Sequence, residues 1–158
     1  MNKKNILIVG AGNLWRRDDG IGIVVIERLR ALQQQHANAF FLAENKVDLL
    51  EIGTDGLSLL DILPNYPKAI IIDAVDMAAP VGTIKVFAPE EAKIKITNDA
   101  LSTHGFGIAE MLKLAEQLNI QTKITIIGIQ PKDISFGNEL GLEIEPTVNA
   151  IIELIKLA

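Results

Sequence analysis

The chain has 158 residues, enough for one compact domain and too few for two of ordinary size. It carries 15 lysine and arginine residues against 20 aspartate and glutamate residues, a formal charge of −5, and it contains no cysteine. The absence of cysteine excludes disulfides, thiolate-bound zinc or iron–sulfur centres and a cysteine nucleophile. The acidic balance argues against nucleic acid as a partner, because phosphate binding depends on clustered lysine and arginine.

The apolar segments predict neither a membrane span nor an export signal. No apolar run approaches the roughly 20 residues that a membrane-spanning helix needs. The run Ile6–Val9 is too short for the core of a signal peptide. We therefore expect a cytoplasmic protein that does not contact membranes.

Strand and helix patterns alternate along the chain. In chain order they predict a strand at Ile6–Val9, a helix from Gly20 to about Gln35, a strand at Val47–Ile52, a short helix from Leu57 to Leu63 stopped by Pro64, strands at Ala69–Ile72 and Gly82–Phe87, a helix from about Phe106 to Leu118, a strand at Lys123–Ile129 and a C-terminal helix opened by Pro146. This alternation predicts a single α/β domain over residues 1–158, with three α/β/α layers and a mostly parallel sheet.

Candidate site residues follow the predicted strands, where open α/β sheets bind ligands. Asp18 and Asp19 follow the first strand, Asp73 comes directly after Ile72, and His104 precedes a helix. Each has an ordinary structural interpretation, as a helix cap, a turn residue or a loop residue. Together, Asp19, Asp73 and His104 form a set of two oxygen ligands and one nitrogen ligand that suits Ni²⁺ or Zn²⁺. From these residues alone, it stays open which of the adjacent acids caps the helix and which faces a ligand.

Other familiar motifs are incomplete. Gly10-Ala11-Gly12 is followed by Trp15 where a dinucleotide fingerprint needs its third glycine, so we expect no organic cofactor. The segment around Ser58 lacks the second glycine of a nucleophile elbow. Ser102 lies two positions before His104, a spacing that does not by itself place a serine–histidine pair.

Five blocks, in order, resemble the [NiFe]-hydrogenase maturation endopeptidases. They are Ile8–Asn13 with Asp18–Gly22, Gly53–Gly56 before a leucine-rich helix, Ile72–Asp76, Ser102–His104 and Ile127–Pro131. The resemblance covers nearly the whole chain. It implies a monomer with a twisted five-stranded, phosphorylase/hydrolase-like sheet, in which one strand, expected at Gly82–Phe87, is antiparallel.

The resemblance also implies an activity: removal of the C-terminal extension from the nickel-loaded precursor of the hydrogenase large subunit. The family's metal-contacting residues correspond to Asp19, Asp73 and His104, which would recognise nickel carried by the substrate and thereby serve catalysis. Asp18 and Asp76 are candidates for the general base.

This sequence departs from the family pattern at the first metal position and just before it. Asp19 stands where glutamate is common, so its carboxylate reaches about one methylene less far. Arg16 and Arg17 replace apolar or small residues, and they could dock an acidic or carboxyl-terminal segment of the substrate.

Two alternatives from other classes of protein are open at this point. One is a receiver-type signalling domain that accepts a phosphoryl group on Asp73, although the lysine expected before Pro131 is replaced by Gln130. The other is a metal-binding maturation chaperone that binds the precursor without cutting it.

Overall fold

The computed structural model describes residues 5–35, 46–91 and 107–157. The strands are β1 (Ile6–Ala11), β2 (Val47–Ile52), β3 (Lys68–Ala74), β4 (Ile84–Phe87) and β5 (Lys123–Ile129). The helices are α1 (Ile21–Gln35), α2 (Leu59–Ile62), α3 (Ile108–Gln117) and α4 (Glu145–Leu157), with 3-10 turns at Arg17–Gly20 and Leu63–Asn65. His36, Ser102 and His104 lie outside the described residues.

The strands form one five-stranded sheet in the order β2-β1-β3-β5-β4. Strands β2, β1, β3 and β5 are parallel, whereas β4 runs antiparallel to β5, with Ile84 opposite Ile129. The predicted mostly parallel sheet and its antiparallel strand within 82–87 are therefore confirmed. The carboxyl ends of the parallel strands meet at one edge, which we call the carboxyl edge.

Helices cover both faces of the sheet. Alternate residues of a strand point to opposite faces, so Leu7 and Val9 join one apolar core while Ile6 and Ile8 join the other. The first core also contains residues of α2 and α3, and the second contains residues of α1 and α4. The predicted three-layer architecture follows from these two cores.

One local prediction needs correction. The predicted helix from Leu57 to Leu63 is shorter, and Pro64 lies inside a 3-10 turn instead of ending the structure. Asp48 is half-buried and accepts hydrogen bonds from the Tyr66 hydroxyl and the Asn5 side-chain amide, each at 2.8 Å. This cluster ties the amino end of the sheet together.

A helix must be both long and apolar to cross a membrane. Among the described residues, no helix combines the length and the apolar character that crossing a membrane requires.

Candidate functional site

The amino end of α1 lies directly against the carboxyl edge of the sheet. A Cβ atom on Gly22 would lie 2.4 Å from the Ile72 carbonyl oxygen and 2.6 Å from the Ala11 carbonyl oxygen. Only glycine allows this approach, because no real Cβ atom sits so close to backbone. The close contact brings the turn before α1, which contains Asp19, to the end of β3, which contains Asp73.

Gly12 is a second glycine that helps to position Asp19. Its φ of +138° lies in a region that residues with a side chain rarely adopt, and a Cβ atom there would be 1.9 Å from the Asp19 carbonyl oxygen. The next residue, Asn13, donates its backbone N–H to that same oxygen at 3.3 Å. Gly12 in the Gly10-Ala11-Gly12 motif therefore serves close backbone packing.

Asp73 lies within β3 and not after it. Its backbone pairs with Gly128, and Ala74 pairs with Ile129, so the strand continues two residues beyond the apolar run. Burial raises the pKa of the Asp73 carboxyl well above its usual value of 3.8, and the negative charge of Asp19 raises it further. The two carboxyl groups that the sequence selected are thus close enough to repel each other.

Paired carboxylates at a crowded edge favour either a shared proton or a cation. Asp19 is buried, with 7% of its surface exposed, and a buried charge is costly unless it is compensated. Within the described residues, no three histidine, cysteine, aspartate or glutamate side chains form a metal-binding group. Asp19 and Asp73, the two predicted oxygen ligands, are among the described residues, whereas the predicted third ligand, His104, falls outside them.

Asp18 has a different structural role from Asp19. It is 1% exposed, and its carboxylate accepts the backbone N–H groups of Lys132 and Asp133 at 2.9 Å and of Gly141 at 2.8 Å. These donors belong to the segment between β5 and α4, more than 110 residues away along the chain. Asp18 therefore anchors a distant segment, and its donors come from outside the helix that the sequence suggested it would cap.

Gln130 is a site residue that sequence reasoning passed over. Its side-chain carbonyl accepts the N–H groups of Met77 at 2.6 Å and Ala79 at 3.3 Å, and its amide donates to Asp76 Oδ1 at 3.1 Å. It thereby holds the segment that leaves β3 beside Asp73. A polar residue at the end of the buried strand β5 was the available signal.

Asp76 is tied into the same segment. The Ala78 N–H, and then the Gln130 amide, lower the pKa of its carboxyl. A carboxylate with a lowered pKa is a weak base, so Asp76 is poorly matched to the general-base role suggested for it.

Comparisons with known proteins point to one family. The family described as hydrogenase maturation protease matches residues 25–157. The chain is 32% identical over 151 residues to the hydrogenase 2 maturation protease of Escherichia coli strain K12, covering 94% of this chain and 84% of that protein. It is 32% identical over 151 residues to the hydrogenase expression/formation protein HupD of Thiocapsa roseopersicina, covering 94% of this chain and 65%, just under two thirds, of HupD.

Solved structures give the same result. The hydrogenase-maturating endopeptidase HybD of Escherichia coli has a TM-score of 0.80 at 25% identity, over 96% of this chain and 89% of that chain. The [NiFe] hydrogenase maturation protease HycI of Thermococcus kodakarensis has a TM-score of 0.74 at 25% identity, over 99% of this chain and 92% of that chain.

Proposed function

Because the chain belongs to the hydrogenase maturation protease family, we propose that it removes the C-terminal extension from the nickel-loaded precursor of a [NiFe]-hydrogenase large subunit. The observation that carries this proposal is the close approach of α1 to the end of β3 through Gly22, which brings Asp19 near Asp73 at the carboxyl edge, where the negative charge of Asp19 helps to raise the pKa of Asp73. Family membership disfavours the receiver-type alternative. The non-cleaving chaperone is separated from the protease by experiment.

Asp19, Asp73 and the neutral imidazole of His104 are proposed to complete the coordination of nickel that the precursor already holds. Two nearby carboxylates repel each other, and a divalent cation between them replaces this repulsion with attraction. A precursor that carries nickel is therefore expected to bind more tightly than one without it. The enzyme would in this way act only on a completed metal centre.

Nickel held in this way would position the neighbouring peptide bond. The metal can polarise the peptide carbonyl or lower the pKa of a water molecule. In either case, Asp19 and Asp73 contribute by fixing the metal and, with it, the bond to be cut. We expect the protein to work as a cytoplasmic monomer without an organic cofactor.

Neither Asp18 nor Asp76 is assigned the proton transfer in this proposal. The Asp18 carboxylate is already occupied by three backbone N–H groups. The pKa of Asp76 is lowered, which makes it a weak base.

The ligand assignment is tested with Asp19→Asn, Asp73→Asn and His104→Ala, using the nickel-loaded precursor and the mass of its C-terminus as the readout. Each variant should reduce processing at least about 100-fold, as is typical when a group that orients the reacting atoms is lost. Asp61→Asn, at an exposed position in α2, is the matched control and should process normally. Full activity in any two of the three variants would rule out the proposed ligand set. Precursor binding without cleavage by the unaltered protein would favour the chaperone.

A further inference from the structure

The most exposed large apolar side chains of the described residues lie in two neighbouring loops. Trp15, Phe136 and Leu142 are 69%, 82% and 93% exposed. We call these three residues the apolar rim. Exposed apolar groups of this size are unfavourable in water, and contiguous ones commonly mark interaction surfaces.

The backbone of the apolar rim is firmly anchored. The N–H of Gly137 donates to the Trp15 carbonyl at 2.9 Å, and the N–H of Arg17 donates to the Gly137 carbonyl at 3.0 Å. Asp18 accepts the N–H of Gly141, next to Leu142, at 2.8 Å. These bonds hold the two loops together.

The anchored backbone lowers the entropic cost of binding a partner at the apolar rim. Binding to a mobile loop costs conformational entropy, because the loop becomes ordered in the complex. A loop that is already fixed does not add this cost. Tryptophan and phenylalanine are also rigid side chains that bury a large area in contact, and tryptophan is among the residue types most enriched at the energetic centres of protein interfaces.

The apolar rim is continuous with the proposed nickel site. Asp18, which anchors the loops, is the immediate neighbour of Asp19, and the Asp19 N–H donates to the Arg16 carbonyl at 3.0 Å. Trp15 and Asp19 therefore belong to one hydrogen-bonded turn, which places the apolar rim beside the segment that contains this proposed metal ligand.

Arg16 adds a cation to this surface, beside Arg17, whose guanidinium pairs with Asp133 at 3.7 Å. The Arg16 guanidinium lies 5.6 Å from the centre of the Phe136 ring, and its Nε donates to the Ile134 carbonyl at 3.0 Å. This combination fits a partner surface that is mainly apolar with an acidic group beside it.

We propose that the apolar rim docks the folded large-subunit precursor, through the precursor surface around its metal centre. The inference rests on the proposed function, because it takes the nickel-loaded precursor as the substrate. The docked precursor contacts Trp15, Phe136 and Leu142, which provide the binding affinity. Asp19 and Asp73 then contact its metal. Recognition thus has two parts, one for the protein surface and one for the metal.

The test compares Trp15→Ala, Phe136→Ala and the double variant with the unaltered protein, using the nickel-loaded precursor from the same organism. The KM for cleavage and the Kd for the precursor on a sensor surface are both measured. Each single variant should raise KM and Kd about tenfold, the usual size for a central aromatic contact, while kcat changes less than about twofold. Leu118→Ala is the matched control, because Leu118 is 62% exposed at the opposite edge of the sheet, and it should change neither constant.

The experiment can contradict the docking proposal and the proposed protease function independently. If the unaltered protein cleaves the precursor and the two aromatic variants keep its KM and Kd, the docking proposal is wrong while the function stands. If the unaltered protein does not cleave, the function is wrong, and the Kd values still decide the docking question. If the free protein is a dimer that the double variant converts to a monomer with KM unchanged, the rim binds a second copy and the proposal is overturned. Melting temperatures within about 2 °C of the unaltered protein verify folding, since both aromatic side chains are exposed.

Discussion

The Asp19 carboxylate acts electrostatically on Asp73. Burial raises the pKa of the Asp73 carboxyl well above 3.8, and the negative charge of Asp19 raises it further. The two residues are 54 positions apart in the sequence and meet because α1 approaches the end of β3 through Gly22. A site arranged in this way is unfavourable for the folded chain alone and favourable for a bound cation. Stability and function are therefore expected to oppose each other at this position.

Asp73→Asn should make the folded protein more stable while abolishing processing. A carboxyl group with a raised pKa binds its proton more tightly in the folded state, so its contribution to stability is lost as the pH rises from about 4 through the folded pKa. The amide removes this cost. We expect the variant to melt about 2 °C or more above the unaltered protein at pH 7, with the difference vanishing near pH 4.

Thermal unfolding by circular dichroism at both pH values checks this expectation, with Asp61→Asn as the control. A variant that is less stable at pH 7, or equally shifted at both values, would show that Asp73 is not under electrostatic stress.

Gly22→Ala should damage both the fold and the site. The added Cβ would meet the carbonyl oxygens of Ile72 and Ala11 at 2.4 Å and 2.6 Å, and forcing α1 away from the sheet is expected to cost about 3 kcal/mol. Because α1 follows Asp19 directly, the distance between Asp19 and Asp73 should grow, and processing should fall with stability.

Gly53→Ala is the control for this substitution. A Cβ at Gly53 would meet no atom within 4 Å. Urea unfolding should therefore leave its free energy of unfolding unchanged or slightly increased. Equal losses in the two variants would contradict the close-contact explanation.

Asp18→Asn should loosen the segment between β5 and α4. An amide has one acceptor oxygen where the carboxylate serves three N–H donors at 2.8–2.9 Å, so at least one of these partly buried donors loses its partner, at a cost of about 1 kcal/mol. We expect faster cleavage by added proteases within residues 131–142, measured by mass spectrometry of the fragments. Unchanged cleavage and unchanged stability would show that Asp18 is not the anchor.

Gln130→Ala should change the titration of Asp76. The Ala78 N–H and the Gln130 amide both lower the pKa of Asp76, and the variant removes the second of these donors. The pKa of Asp76 should therefore rise toward its usual value, which carboxyl-carbon chemical shifts can follow. Gln121→Ala, at an exposed position, is the control and should leave this titration unaltered. A constant Asp76 pKa in Gln130→Ala would contradict the proposed contact.

Much of the fold could be read from the sequence because burial leaves a pattern. The isoleucine-rich runs of β1, β3 and β5 are buried on both faces, so they stand out as continuous apolar segments. The rule that ligands bind at the carboxyl edge selected Asp19 and Asp73, which the fold brings together. The end of β3 was predicted too early because apolar character stops at Ile72 whereas backbone pairing continues to Ala74.

The contacts that could not be predicted depend on chain segments far apart. The partners of Asp18 lie 114 to 123 residues away, and nothing in the local sequence indicates them. Gln130 likewise acts on residues more than 50 positions away. The role of His104 stays a prediction, since it lies outside the described residues.

We propose that the protein cuts a precursor only when nickel is present in it. The direct measurement is the intact mass of the large-subunit precursor after incubation with the protein, in parallel nickel-loaded and nickel-free samples. We predict loss of the C-terminal extension in the loaded sample and an unchanged mass in the nickel-free sample. Equal cleavage of both samples would contradict recognition of the metal, and an unchanged mass in both would contradict the proposed protease.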